Sequence, residues 1–172
     1  EIATEALFGS VTRVELAGRT DAGVHAMGQV AAFSAATSLD QATIQRALNA
    51  HLPVDVSVRK VSTVPGAFDP RRWARRRWYR YSLLLSATPL PLQRHQSWLI
   101  GPQIDVEAMK EAAGSLVGRL DFSACASPLE TGKSPFRTVS TVQFAPLGCL
   151  LSFDIEADSF LPQMVRRIVG GL

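Results

Sequence analysis

The most concentrated polar site in the chain is the run Ala17-Gly18-Arg19-Thr20-Asp21-Ala22-Gly23-Val24-His25. Asp21 stands between Gly18 and Gly23, and glycines let a substrate approach the backbone closely. An aspartate in such a loop serves either as a turn former or as a catalyst, and its type alone leaves both open. A carboxylate beside a guanidinium, whether that of Arg19 or of Arg166 in the last apolar segment, stays ionised even where a bound base excludes water. It is then available as nucleophile or general base. His25 can act as an acid or base, but a single histidine after a strand-joining loop equally serves as a hydrogen-bonding support.

A second concentration is Arg71-Arg72-Trp73-Ala74-Arg75-Arg76-Arg77-Trp78-Tyr79-Arg80, which interleaves arginines with three aromatic rings. A positive stripe carrying ring faces suits a phosphodiester chain whose unpaired bases are stacked. A solvated edge strand guarded by charge has the same composition. Tyr79 and Tyr81 fall on one side of a strand and Arg80 on the other. Both tyrosines read as core residues, and one beside the stripe can also stack on an extruded base. In Met164-Val165-Arg166-Arg167-Ile168, Arg167 reads as solvated and Arg166 as the better candidate for an inward ion pair. No Walker loop, dinucleotide fingerprint, HExxH or nucleophile elbow occurs, so neither a cofactor nor a metal is expected. Cys125 and Cys149 have no metal-ligand spacing and read as reduced, structural residues.

The elements that must position these residues follow from periodicity. Glu1 to Phe8 reads as a helix closed by Gly9. Val11 to Leu16 and Gln29 to Phe33 read as strands flanking the Asp21 loop. Asp40 caps a helix in which Ile44, Leu48 and Leu52 recur four apart before Pro53. Val54 to Arg59 has the period of a half-buried strand. The stripe at 71 to 80 feeds Tyr81 to Leu85 as a central strand. Pro89, Pro91 and Pro102 break any period, which divides the chain into a half at 1–88, a linker at 89–104 and a half at 105–172.

In the second half Asp105 caps a helix with Val106, Met109, Ala113, Leu116 and Val117 on one face. Val139 to Phe144 and Cys149 to Ile155 form a hairpin around Pro146-Leu147-Gly148. Leu151, Phe153 and Ile155 are expected to face the core, with Ser152, Asp154 and Glu156 facing water. A helix starts at about Pro162. The mixture favours an α+β fold with a mostly antiparallel sheet and two halves of similar content.

At 172 residues, with 47% hydrophobic and 19% charged side chains, the composition is that of a globular protein able to build a core without disulfides. Net charge is only +3. No apolar run approaches the ~20 residues of a spanning helix, and the first residues lack the pattern of a signal peptide, so the chain reads as cytoplasmic. It has no initiator Met and starts and stops inside helical patterns, from which a piece of a longer reading frame is expected.

Gly18 to Ala26, followed by Gly28-Gln29-Val30, resembles the signature loop of the TruA-type tRNA pseudouridine synthases. The likeness extends through Leu48-Asn49-Ala50-His51-Leu52-Pro53, Phe68 with Arg71, Tyr79-Arg80-Tyr81, Asp121-Phe122, Arg137-Thr138-Val139, Ser159-Phe160-Leu161 and Met164 to Gly170. It implies an isomerase that converts uridine to pseudouridine in tRNA, at uridines 38 to 40 of the anticodon arm, without cofactor or metal. Asp21 would be the catalytic aspartate, Tyr79 the aromatic that packs on the base and assists at C5, and Arg166 the cation paired with Asp21. Arg19, Thr20 and His25 with Arg71, Arg77 and Arg80 are the expected substrate-binding residues. The implied architecture is two ferredoxin-like halves sharing a sheet, with the active cleft between them, in a homodimer that grips tRNA. Asp69-Pro70, Ala124-Cys125 and Pro162-Gln163 depart from the family pattern. A catalytically silent RNA-binding protein, or a synthase acting at another tRNA position, is the alternative.

Overall fold

Apolar residues four apart and an aspartate cap dictate the principal helix of the first of two compact units, Glu1–Ala74 and Arg75–Leu172. The computed structural model describes residues 1–10 and 12–172. In the first unit α1 (Ile2–Phe8) ends at Gly9, whose φ of 70° is the left-handed conformation that glycine tolerates. In α2 (Gln41–His51) the Asp40 carboxylate accepts from the Thr43 N–H at 2.9 Å, the expected cap. Ile44 and Leu48 of α2 bury against Ala3, with Leu7, Phe8, Phe33, Leu52, Val58 and Val61 packed around them. The strands β1 (Glu15–Leu16) and β2 (Ala31–Ala32) pair antiparallel, Leu16 opposite Ala31. They are shorter than the expected Val11–Leu16 and Gln29–Phe33, and Val11 lies outside the described residues.

The expected strand at Val54 to Arg59 does not form. Side chains of α2 take the place of a neighbouring strand there: Asn49 accepts from the Val58 N–H at 2.7 Å and donates to its carbonyl at 3.0 Å. Gln45 donates to the Val58 and Arg59 carbonyls at 3.0 and 2.8 Å. The first residues of the segment turn instead, the Val56 N–H donating to the Pro53 carbonyl at 3.0 Å, and Val54 and Val56 leave apolar surface in solvent.

The second unit is a five-stranded sheet in the order β4 (Trp98–Leu99), β3 (Arg77–Leu84), β7 (Leu150–Ala157), β6 (Phe136–Leu147), β5 (Gly118–Asp121). Every pairing is antiparallel except β3 with β4. Residues 89–104 therefore lie within this unit, where Trp98 and Leu99 extend the sheet. β6 and β7 turn through Gly148 and Cys149, with Leu147 opposite Leu150 and Gly148 at φ 60°. One face of the sheet is buried under α3 (Val106–Gly114) and α4 (Met164–Gly171). Phe153 and Ile155 are 0% exposed there, packed with Leu83, Leu151, Met109, Ala113, Met164 and Ile168.

These elements establish an α+β fold with a mostly antiparallel sheet. Several local expectations change. The 71–80 stripe is not one strand, because β3 begins only at Arg77. α3 stops at Gly114, leaving Leu116 and Val117 beyond it, and α4 starts at Met164 rather than at Pro162. Asp154 does not face water: it is 8% exposed, covered by Arg80 from the neighbouring strand. Cys149 is exposed in the hairpin turn, whereas Cys125 is half-buried, and both are free thiols.

Candidate functional site

The Asp21 loop is built from its neck outward. The Ala17 N–H donates to the Val30 carbonyl at 2.9 Å, continuing the β1–β2 ladder. The Gln29 side chain reaches back to the Gly18 carbonyl at 2.6 Å. Arg59 ties the returning arm, donating to the Met27 carbonyl at 3.1 Å. With the neck closed, the tip bends where the Val24 N–H donates to the Asp21 carbonyl at 3.0 Å, and Gly23 adopts φ 78°. A side chain would be strained at that φ, which is the physical reason for glycine there. Arg19, Thr20, Asp21 and His25 are all exposed on this loop. It exposes a carboxylate, a hydroxyl, a guanidinium and an imidazole within one short loop.

In the second unit Tyr79 lies on the helix-covered side of β3, opposite Ile155 of β7. Its ring meets Phe160 edge-on, with centroids 4.9 Å apart and planes at 80°. Phe160 precedes α4, which lies against β3, and Arg166 stands on an exposed stretch of that helix between buried Met164 and Ile168. Entry to α4 is set by Gln163, a non-glycine residue at φ 63°. Left-handed backbone at such a residue costs of order 1 kcal/mol and persists only where its surroundings fix it. Here the Ser127 N–H donates to the Pro162 carbonyl at 3.1 Å and the Arg167 N–H to the Gln163 carbonyl at 3.1 Å. The role of Phe160 as the ring that meets Tyr79 comes from the structure. The signal available was an aromatic residue a few positions before a helix that carries a candidate catalytic cation.

The arginine run divides in two. Its second part is engaged by the sheet: Arg76 pairs with Glu156 at 2.9 Å, Arg77 donates to the Asp158 carbonyl at 3.0 Å, and Arg80 binds Asp154 through two bonds of 2.7 and 2.9 Å. The hydrogen bond and charge of Asp154 raise the Arg80 pKa above its ordinary value, and Arg80 also sits over the Trp78 ring at 5.0 Å. The Ser140 hydroxyl and then Arg76 hold Glu156 below the usual carboxylate range.

The first part of the run lies in a single capped turn. Asp69 accepts from the Arg71 and Arg72 N–H groups at 2.8 and 2.9 Å, and the Trp73 N–H closes on the Asp69 carbonyl at 3.0 Å. Pro70 takes the position after the cap, where its missing N–H costs nothing. The Arg72 N–H is the main reason the Asp69 carboxyl lies below its ordinary value, with the Arg71 N–H and both guanidiniums adding to it. Asp69-Pro70 thus opens a single capped turn, a signal readable in the sequence as an aspartate followed by a proline.

The structure brings Arg19, Thr20, Asp21 and His25 together on one loop of the first unit. It places Arg71 in the capped turn of that unit, and Tyr79, Arg77, Arg80 and Arg166 in the second. Among the described residues, no group of three or more His, Cys, Asp or Glu side chains is arranged to hold a metal ion, and no helix is long and apolar enough to cross a membrane.

Comparison with known proteins places the chain. The family model described as tRNA pseudouridine synthase matches residues 1–71 and 112–172. Asp21, Arg19, Thr20, His25, Arg71 and Arg166 fall in the matched segments, and Tyr79, Arg77 and Arg80 fall between them. The chain is 41% identical over its full length to tRNA pseudouridine synthase A of Myxococcus xanthus, covering 65% of that protein. It is 37% identical to the protein of the same name from Citrifermentans bemidjiense, with 99% of the chain and 68% of the relative covered. For the Methylacidiphilum infernorum protein of that name the identity is 44%, over 92% of the chain and 63% of the relative. The chain thus spans about two thirds of the length of these curated relatives. With the signature loop, its neck and the last helix all inside the matched segments, the chain belongs to the tRNA pseudouridine synthase family.

Proposed function

We propose that the chain carries the reactive part of an enzyme that isomerises uridine to pseudouridine in the anticodon stem-loop of tRNA, at positions 38 to 40. A cytoplasmic homodimer, with the active cleft between two ferredoxin-like halves, belongs to the same reading. The observation that carries it is Asp21, exposed at the tip of a loop whose neck is closed by hydrogen bonds of 2.6 and 2.9 Å, in a chain of this family. In the reaction the N1 to C1′ bond breaks, the uracil turns over, and C5 bonds to C1′. The proton that leaves C5 is balanced by one taken up at N1, so no electrons are exchanged with a partner. Asp21 serves as nucleophile or base, Tyr79 packs on the base and assists at C5, and Arg166 pairs with Asp21.

Extruding a uridine from a stem costs a few kcal/mol, which stacking and arginine contacts offset. Arg19 orders the loop and helps extrusion, with Thr20 and His25 beside it. Arg71 stays on the substrate. Arg77 and Arg80 also bind the substrate, from the strand that carries Tyr79, while their bonds to the Asp158 carbonyl and to Asp154 steady that strand. The test is tritium release from an anticodon stem-loop labelled at uridine C5, using the full-length protein. Wild type releases tritium, and Asp21→Asn binds the RNA but loses about 10²-fold or more in rate. Binding without release by either protein would replace this reading with that of a silent RNA binder.

A further inference from the structure

Trp73 lies between the two segments that match the family, and nothing in the reaction described above uses it. It is 54% exposed, the largest fraction among three half-exposed tryptophans, with Trp78 at 50% and Trp98 at 45%. Its ring is not loose. Phe68 meets it edge-on, with centroids 5.3 Å apart and planes at 77°, and its backbone closes the Asp69-capped turn. The same turn holds Arg71 and Arg72 next to it in sequence. Arg72 is 87% exposed at its side chain, with its Nε 3.4 Å from Asp69, a surface pair too weak to compete with a phosphate. Arg71 and Arg72 are both exposed at this turn, and Arg75, Arg76 and Arg80 are exposed further along the run.

We propose that the turn at 68–73 is a stacking platform for an unpaired nucleobase of the RNA substrate, with Trp73 taking the base and Arg71 and Arg72 the flanking phosphates. The ring must meet an unpaired base, because bases inside a duplex have both faces covered by their neighbours. Asp69 and Pro70 serve the platform by fixing the turn, and Phe68 serves it by fixing the indole. This rests on the reading of tRNA as the substrate and adds a contact outside the reacting uridine.

The test measures dissociation constants of the full-length protein for an anticodon stem-loop RNA and for a fully paired duplex of the same length. Trp73→Ala weakens stem-loop binding by about 5- to 150-fold, the factor set by ~1–3 kcal/mol per stacked base, and leaves duplex binding unchanged. Trp73→Phe keeps most of the stem-loop affinity. In a Trp78→Phe, Trp98→Phe background the emission of Trp73 is quenched by the stem-loop. Equal loss on both RNAs, or wild-type stem-loop binding by Trp73→Ala, overturns the platform. A changed oligomeric state with unchanged RNA binding would assign Trp73 to a protein contact and also overturn it. Tritium release is read separately: a protein that releases none yet shows the Trp73 effect sinks the isomerase reading and leaves the platform standing.

Discussion

The two units solve opposite problems. The second buries a continuous face of β3, β7 and β6 under α3 and α4, with Phe153 and Ile155 wholly enclosed. Among the described residues the first has Ala3, Ile44 and Leu48 as its buried apolar centre and pairs two strands of two residues each. Yet the first carries the Asp21 loop and the Trp73 turn. Its shape is held largely by polar fasteners: Asp40 on Thr43, Asn49 on Val58, Gln29 on Gly18 and Asp69 on Arg71 and Arg72. Reactive loops are drawn from regions of low local stability because they must admit and release a substrate. The rigid sheet supplies the opposite service, fixing Tyr79 by register and by Phe160.

The largest effect expected from breaking this division lies in the sheet. Phe153→Ala removes a wholly enclosed ring and costs about 3–5 kcal/mol, read by chemical denaturation. Asn49→Ala in the first unit costs less, about 1–2 kcal/mol for two lost hydrogen bonds. It speeds amide exchange at 56–59 while leaving β6 and β7 amides unchanged. A global loss from Asn49→Ala would show that the units do not divide the stability in this way.

Acid sharpens the same contrast. Asp40 and Asp69 have folded-state values lowered from 3.8, so the stability they contribute is full above 3.8 and is lost as pH falls through the lower folded values. Glu156 behaves likewise from 4.5 in the second unit. With its thin apolar centre, the first unit should open first on acidification, seen as earlier loss of amide protection in α2 than in β7. The smallest effect is at the entry to α4. Gln163→Gly stays within about 1 kcal/mol of wild type because glycine accepts φ 63°, while Gln163→Val destabilises by more.

Much of this was legible in the sequence wherever a pattern is local. The Asp40 cap, the four-residue spacing of Ile44 and Leu48, the Gly9 stop and the β6–β7 hairpin are each decided by neighbours within a few positions. Val54 to Arg59 misled because a period of two does not show the turn that Pro53 starts, closed by the Val56 N–H, nor which groups pair with the residues after it. What completes its hydrogen bonds is Asn49 and Gln45, on a helix already assigned elsewhere. Asp154 looked solvent-facing because its partner, Arg80, is distant in sequence and becomes adjacent only through the β3–β7 register. The Asp21 loop was legible as a site since glycines, charge and hydroxyl lie within one short run.

Hydrogen exchange on the full-length protein, free and bound to the anticodon stem-loop, tests most directly where the substrate is held. New protection is expected at residues 18–29 and 68–73, with the amides of β3, β6 and β7 already slow and unchanged. Protection confined to the exposed face around Trp78 and Arg80, with the Asp21 loop still exchanging freely, would contradict it.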